Sequence, residues 1–203
     1  MGPLRSPAPR VAGRLDGPVS PPSALEAAAA AWRAEGVARV DGVLPAGLAA
    51  ELLVGLRRLP LTAVEEDGEV VWVYDVGVPP ERDPQLFEPL FRLVPVLDQV
   101  VPRLAAEVVG RPLAPQAPAS FRVVAYRKGS WSRGPRACAP GLIGCTLGLG
   151  DDAWPTAWGG QSRPPVRGDQ LTLYDPGRAP EVPVLLRHVE RFELRTFLTP
   201  VAP

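Results

Sequence analysis

Phe121–Gly141, FRVVAYRKGSWSRGPRACAPG, is the stretch on which the fold turns. Its start, SFRVVAYR counted from Ser120, is rich in β-branched and aromatic residues and reads as a strand. A Gly-Ser turn and a long Gly- and Pro-containing loop follow Tyr126, and another apolar run begins at Gly141. Between Tyr126 and Gly141 there is no His, no Asp and no Glu.

Downstream, GLIGCTLGLG, DQLTLYD, VPVLLRHV and FELRTFLTP are further short strand candidates, separated by Gly- and Pro-rich turns. Upstream the chain is mainly helical in pattern. Ser23 is placed to cap ALEAAAAAWRAEG, with Gly36 as its stop. VARVDGVL alternates as a strand, and PAGLAAELLVGLRRLP carries Leu at helical spacing. EVVWVYDVGV reads as a strand. The run from Asp83 to Gly110 has helical apolar spacing, and Pro89, Pro95 and Pro102 predict two or three helical pieces. Helices followed by closely spaced strands argue for an α+β chain whose C-terminal half is a sandwich or barrel.

The chain has 203 residues, enough for one domain with a sizeable core. Pro3, Pro7, Pro9, Pro18, Pro21 and Pro22 make residues 1–22 a disordered arm by composition. Residues 23–203 read as a single domain, with a helical part at 23–115 and a β part at 116–203. The formal net charge is zero, which gives no electrostatic case for nucleic acid or a membrane surface. Lys128 is the only lysine, so Arg here reflects coding bias as much as anion binding. No apolar run is long enough to span a bilayer, and the N-terminus lacks an apolar signal core. A cytoplasmic location is the expectation. The two cysteines, Cys138 and Cys145, make no disulfide framework.

The order of these pieces resembles the Fe(II)/2-oxoglutarate-dependent dioxygenases, in particular their prolyl 4-hydroxylase-like branch. FRVVAYRKGSW is similar to the strand that leads into that family's metal loop. LIGCTLGLGDDAWPTAWGGQ resembles the next strand with its Trp-Gly-Gly ending. LTLYD is like the strand before the distal ligand, and VPVLLRHVERFELRTFL resembles the final His- and Arg-bearing pair. The resemblance covers roughly Val37 to Leu198. It implies a double-stranded β-helix, the cupin-like jelly roll, on supporting N-terminal helices. It also implies Fe(II) and 2-oxoglutarate as cofactors.

The resemblance fails at the metal. Such iron sites need two His and one carboxylate on one face of the ion. The family's His-x-Asp pair falls here on Pro135 and Ala137, and His188 is the only histidine in the chain. The resemblance places His188 at the distal ligand position and Arg195 at the position that pairs with the oxoglutarate carboxylate, though their separation is shorter than the usual pattern. A chloride-binding variant would account for Ala137 and would leave Pro135 unexplained. Cys138, Cys145 or Asp151 remain as atypical ligands, at no standard zinc spacing. The expectation is therefore a barrel with no metal, iron and oxoglutarate having been lost.

The remaining polar residues define a candidate site. His188, Tyr126 and Arg195 are candidate catalytic groups, and Trp131, Trp154, Trp158 and Lys128 candidate substrate-binding groups. Each has a bland alternative: His188 a core histidine, Arg195 an ion-pair partner of Glu193 or Glu190, the Trp residues filling the barrel's wide end, Lys128 a surface charge. Three functions remain open. One is a metal-independent enzyme of specialised metabolism, performing a cyclisation, isomerisation or elimination on a small molecule. The second is a non-catalytic binding or partner protein. The third is an oxygenase with an unorthodox metal site.

Overall fold

A computed structural model describes residues 22–44, 47–66, 68–76, 84–117, 121–133, 141–150, 154–158, 161–166, 168–179, 181–186 and 190–201; for 22, 66, 84–89, 154–158 and 161–166 it describes the backbone alone. The elements in chain order are α1 (Pro22–Glu35), β1 (Val37–Asp41), α2 (Leu48–Leu56), β2 (Thr62–Glu66) and β3 (Glu69–Val76). Next come α3 (Pro84–Pro95), a π-helical turn (Val96–Val100), α4 (Val101–Val109) and β4 (Leu113–Pro115). Then follow β5 (Phe121–Tyr126), β6 (Trp131–Ser132), β7 (Ile143–Leu149), β8 (Trp154–Trp158), β9 (Gln161–Val166), β10 (Gln170–Tyr174) and β11 (Arg191–Pro200).

Local chemistry explains the helix boundaries. Gly36 ends α1 at φ +67°, where its N–H reaches the Trp32 carbonyl at 2.7 Å. Ser23 lies inside the helix, whose first residue is Pro22, a residue pre-set for a first turn. The proline-rich run behaves unevenly. Helix α3 continues through Pro89. Pro95 has no N–H for the Phe91 carbonyl, and the ladder re-forms after it as the π turn. Pro102 sits in the first turn of α4, where a missing N–H is harmless, and Gly110 closes α4 in the left-handed conformation.

Nine of the described strands form one antiparallel sheet in the order β1-β10-β7-β11-β5-β3-β2, with β4 on β11 and β6 on β3. Strands β8 and β9 form a separate hairpin. The sheet is strongly curled. Strands from before and after residue 115 interleave in it: β1 pairs with β10 and β3 with β5. Strand β2 and the β8–β9 hairpin were not among the expected strands. VPVLLRHV is a correction: among its described residues only Val182 makes a bridge, to Ser132, and 183–186 are irregular. Its backbone turns instead to the β5–β6 turn, where Leu185 donates to the Ser130 carbonyl and accepts from Gly129 N–H.

Period-two alternation gives the sheet two faces. One face, with Leu171, Leu173, Cys145, Leu147, Phe192, Leu194, Val123 and Ala125, packs on the helices. Leu52, Leu56, Leu93, Leu97, Val101 and Leu104 complete that core. The other face is the inner one. Val71, Val73, Val124 and Tyr126 lie there beneath Val182 and Leu185. On the same face Tyr174 lays its ring across Gly144, its direct strand partner, where any Cβ would collide with the ring.

Candidate functional site

The inner face carries a buried charged cluster, built by alternation on β11. Arg191, Glu193 and Arg195 point inward while Phe192 and Leu194 point to the helices. Register sets Arg191 opposite Tyr126 and Glu193 opposite Val124. Strand β3 brings in Glu69, which is 2% exposed.

Arg195 is the centre of the cluster. Its Nε donates to Glu193 Oε1 at 2.8 Å, and its Nη1 to Glu69 Oε2 at 2.9 Å and Oε1 at 3.2 Å. Its Nη2 donates to the Tyr126 hydroxyl. Tyr126 in turn donates to Glu193 Oε1 at 3.1 Å, and Arg191 Nη2 donates to Glu193 Oε2 at 3.2 Å. Both guanidiniums also lie over the Tyr126 ring, at 5.7 Å for Arg195 and 5.9 Å for Arg191.

These contacts fix the protonation states. Burial opposes the Glu193 charge, but Arg195 and Arg191 overcome it and hold the carboxyl below its ordinary range. Burial pushes the Tyr126 hydroxyl well above its ordinary value, with Arg195 pulling the other way. Burial also opposes the Arg195 charge, and the surrounding Tyr126, Glu193 and Tyr174 outweigh it. The arrangement is thus a neutral phenol held between a carboxylate and a guanidinium. The phenol's single proton goes to Glu193, so it can donate to developing negative charge only by exchanging that hydrogen bond, with Arg195 adding electrostatic support.

The structure brings Tyr126 and Arg195 into direct contact. His188 lies outside the described residues, as do Pro135, Ala137, Cys138, Asp151 and Asp152. Trp154 and Trp158 are described by backbone only, on β8. Trp131 pairs with Val70 while its neighbour Ser132 pairs with Glu69, so alternation puts Trp131 on the face opposite Glu69. Its ring carries the Arg133 guanidinium at 5.1 Å. Lys128 is exposed in the turn after β5. Cys145 is buried in the helix-side core, where burial pushes its thiol far up. Among the described residues no group of three or more His, Cys, Asp or Glu is placed to hold a metal ion.

Glu69 and Arg191 were not singled out from the sequence, and Glu193 only as one partner for Arg195. The available signal was RFELR itself, in which charges alternate with large apolar residues. A strand buried on both faces has to pair such charges internally.

No protein-family model matches the chain, and no curated protein matches it. Solved structures do. One is the non-heme alpha-ketoglutarate-dependent epimerase SnoN from nogalamycin biosynthesis, 19% identical, with TM-score 0.63 over 89% of this chain and 84% of that one. Another is a Pseudomonas putida prolyl-4-hydroxylase, 16% identical, with TM-score 0.61 over 88% and 100%. A third is AviO1 from Streptomyces viridochromogenes Tue57, 19% identical, with TM-score 0.60 over 88% and 97%. The chain has the fold of the 2-oxoglutarate/Fe(II) oxygenases. Its α+β architecture is the one the sequence pattern implied, and the double-stranded β-helix is the one the resemblance implied. Among the described residues no helix of this oxygenase-fold chain is long and apolar enough to cross a membrane.

Proposed function

We propose that this oxygenase-fold protein acts on a small molecule without iron or 2-oxoglutarate, as an enzyme of specialised metabolism performing a cyclisation, isomerisation or elimination. The observation that carries the reading is the state of Arg195. At the position the resemblance assigns to the oxoglutarate carboxylate, all three guanidinium nitrogens are engaged by Glu193, Glu69 and Tyr126. A cosubstrate carboxylate would have to displace one of two buried resident carboxylates. The donor chemistry points the same way, because a facial triad needs two imidazoles and the chain has one histidine. The residues present therefore do not fit an iron–oxoglutarate centre of the family's kind.

In this reading the barrel shapes the substrate and the polar groups handle one proton. Tyr126 remains protonated and exchanges its Glu193 hydrogen bond for one to the substrate; Arg195 supports the negative charge that forms; His188 is the candidate proton shuttle. Stoichiometric iron in the purified protein, together with oxoglutarate turnover, would overturn the reading. Metal-free protein that holds a small molecule and loses its turnover on His188→Ala and on Tyr126→Phe would support it.

A non-catalytic binding role is the second reading. The observation favouring it is that the phenol, Glu193 and Arg195 satisfy one another, as in a structural network. Binding without turnover, unaffected by Tyr126→Phe, would select it.

A further inference from the structure

Arg195 draws its carboxylate partners from two directions. Glu193 is a neighbour on the same strand, and it accepts from Arg195 Nε, Arg191 Nη2 and the Tyr126 hydroxyl. Glu69 comes from β3, on the far side of β5. It opens that strand directly after Gly68, which stands at φ +78°. Its two oxygens lie 2.9 and 3.2 Å from Arg195 Nη1, the nitrogen that neither Glu193 nor Tyr126 engages.

The row on which Arg195 stands shows why an acid is needed there. Across the inner face the register aligns Arg39, Thr172, Thr146, Arg195, Arg122 and Asp75, on β1, β10, β7, β11, β5 and β3 in turn. These six residues hold three guanidiniums and one carboxylate, and Arg122 grips that carboxylate at 2.7 and 3.2 Å. A negative group for Arg195 therefore comes from other rows, and Glu69 brings one from the hairpin end of β3. The surrounding positive charge favours an anion at this point. A carboxylate is the anion that suits a guanidinium edge, because its oxygens meet the N–H groups in one plane.

The Glu69 side chain is 2% exposed, whereas that of Arg195 keeps 14%. A small anion can thus approach the guanidinium from solvent, and the place it would take already holds an acid. We propose that Glu69 is a built-in ligand: it fills a small-carboxylate site on Arg195 and denies that site to free carboxylic acids. Substrates of the inner face then meet Tyr126 and Arg195 without presenting a carboxylate of their own. The proposal rests on the metal-independent reading and deepens it, naming the residue that keeps such acids out.

The test cuts the tether. Glu69→Ala removes one methylene and the carboxylate, the atoms that acetate carries. The full-length variant and the parent are compared at neutral pH in sodium acetate and in sodium chloride of equal ionic strength, with acetamide as the neutral isostere. Stability is followed by calorimetry and binding by ligand-observed NMR. Acetate at about ten times its Kd should raise the Tm of Glu69→Ala by about 3–6 °C over chloride. The parent should gain nothing over chloride and bind acetate at least roughly tenfold more weakly, since its own carboxylate competes. Acetamide should act on neither protein. Glu69→Gln, whose amide keeps the space filled, should ignore acetate. Where Glu69→Ala does not fold in chloride, refolding yield in the two salts replaces Tm, with the same expectation. The proposal is overturned if acetate protects Glu69→Ala no more than chloride does, if it protects the parent or Glu69→Gln equally, or if acetamide replaces it. Iron content and oxoglutarate turnover of the parent are measured in the same preparation. An iron-free parent beside an acetate-blind Glu69→Ala defeats this proposal alone. An iron-loaded parent turning over oxoglutarate, beside an acetate-responsive Glu69→Ala, defeats the metal-independent reading alone.

Discussion

Arg195 Nη1 grips both carboxylate oxygens of Glu69, a residue 126 positions earlier in the chain, at 2.9 and 3.2 Å. This contact ties β11 to β3 across β5, and both partners are largely buried. Removing one partner of such a pair leaves a buried charge, at a cost of about 3–5 kcal/mol. Glu69→Leu and Arg195→Met should each lose that much in urea unfolding. The double variant Arg195→Met/Glu69→Leu should lose clearly less than the sum of the singles, because no lone charge remains. Additive losses would show that the pair is not coupled.

Glu193 makes stability depend on acid. Its folded pKa lies below the unfolded value of about 4.3. The stabilisation is therefore present above that unfolded value and is lost as pH falls through the folded one. Tyr126 shifts the other way. Its folded pKa lies above the unfolded value of about 10, so the unfolded chain loses that proton first and stability falls as pH rises past about 10. Glu193→Gln should flatten the acid limb and Tyr126→Phe the alkaline one, each leaving the opposite limb in place. Unfolding free energies across pH would read both.

Tyr174 lying on Gly144 makes that glycine a packing requirement. Gly144→Ala should destabilise the chain by about 1–3 kcal/mol through overpacking. Tyr174→Leu in the same chain should recover most of the loss. An unchanged melting point for Gly144→Ala would mean that the ring has room to move.

Asp169 stands in the left-handed conformation at φ 63°, and its Oδ1 accepts from Leu44 N–H at 2.5 Å. Burial raises its pKa, with Asp41 adding to the rise, while the Leu44 and Val43 amides oppose it. The raised value means that folding disfavours the ionised form at neutral pH. Asp169→Asn keeps both the acceptor and the conformational tolerance and removes the charge, so it should be neutral or slightly stabilising at pH 7. Asp169→Ala should cost about 1–2 kcal/mol, since it loses the acceptor and strains the turn. Thermal melts of the two variants decide the matter.

What was legible in the sequence was mainly local. End signals located α1, and apolar patterning located α2, α4 and strands β5, β7, β10 and β11, because each of these buries one stripe or both faces in a regular period. Pro95 and Pro102 marked real changes in the helical run, while Pro89 did not, since context decides whether a missing N–H matters. VPVLLRHV misled because Val182 and Leu185 cover the inner face while Val184 and Leu186 stay exposed, and none of its described residues joins a ladder. Val182 and Leu185 supply burial, and their backbone hydrogen bonds go to residues 129–132. The site was only half legible. RFELR announced inward charges, but no local pattern could reveal that Glu69 closes on Arg195. That meeting is a product of strand order, as is the row joining Thr172, Thr146 and Arg195.

The central place of β11 bears on how the protein is made. This strand follows every other strand of the sheet in the chain, yet it lies between β5 and β7 and also carries β4. Until the ribosome has released it, β5 and β7 present open edges that invite pairing with other chains. The sheet cannot close between β5 and β7 until synthesis has passed Pro200. A shortened transcript ending before Arg191 would yield an aggregating product rather than a smaller folded one.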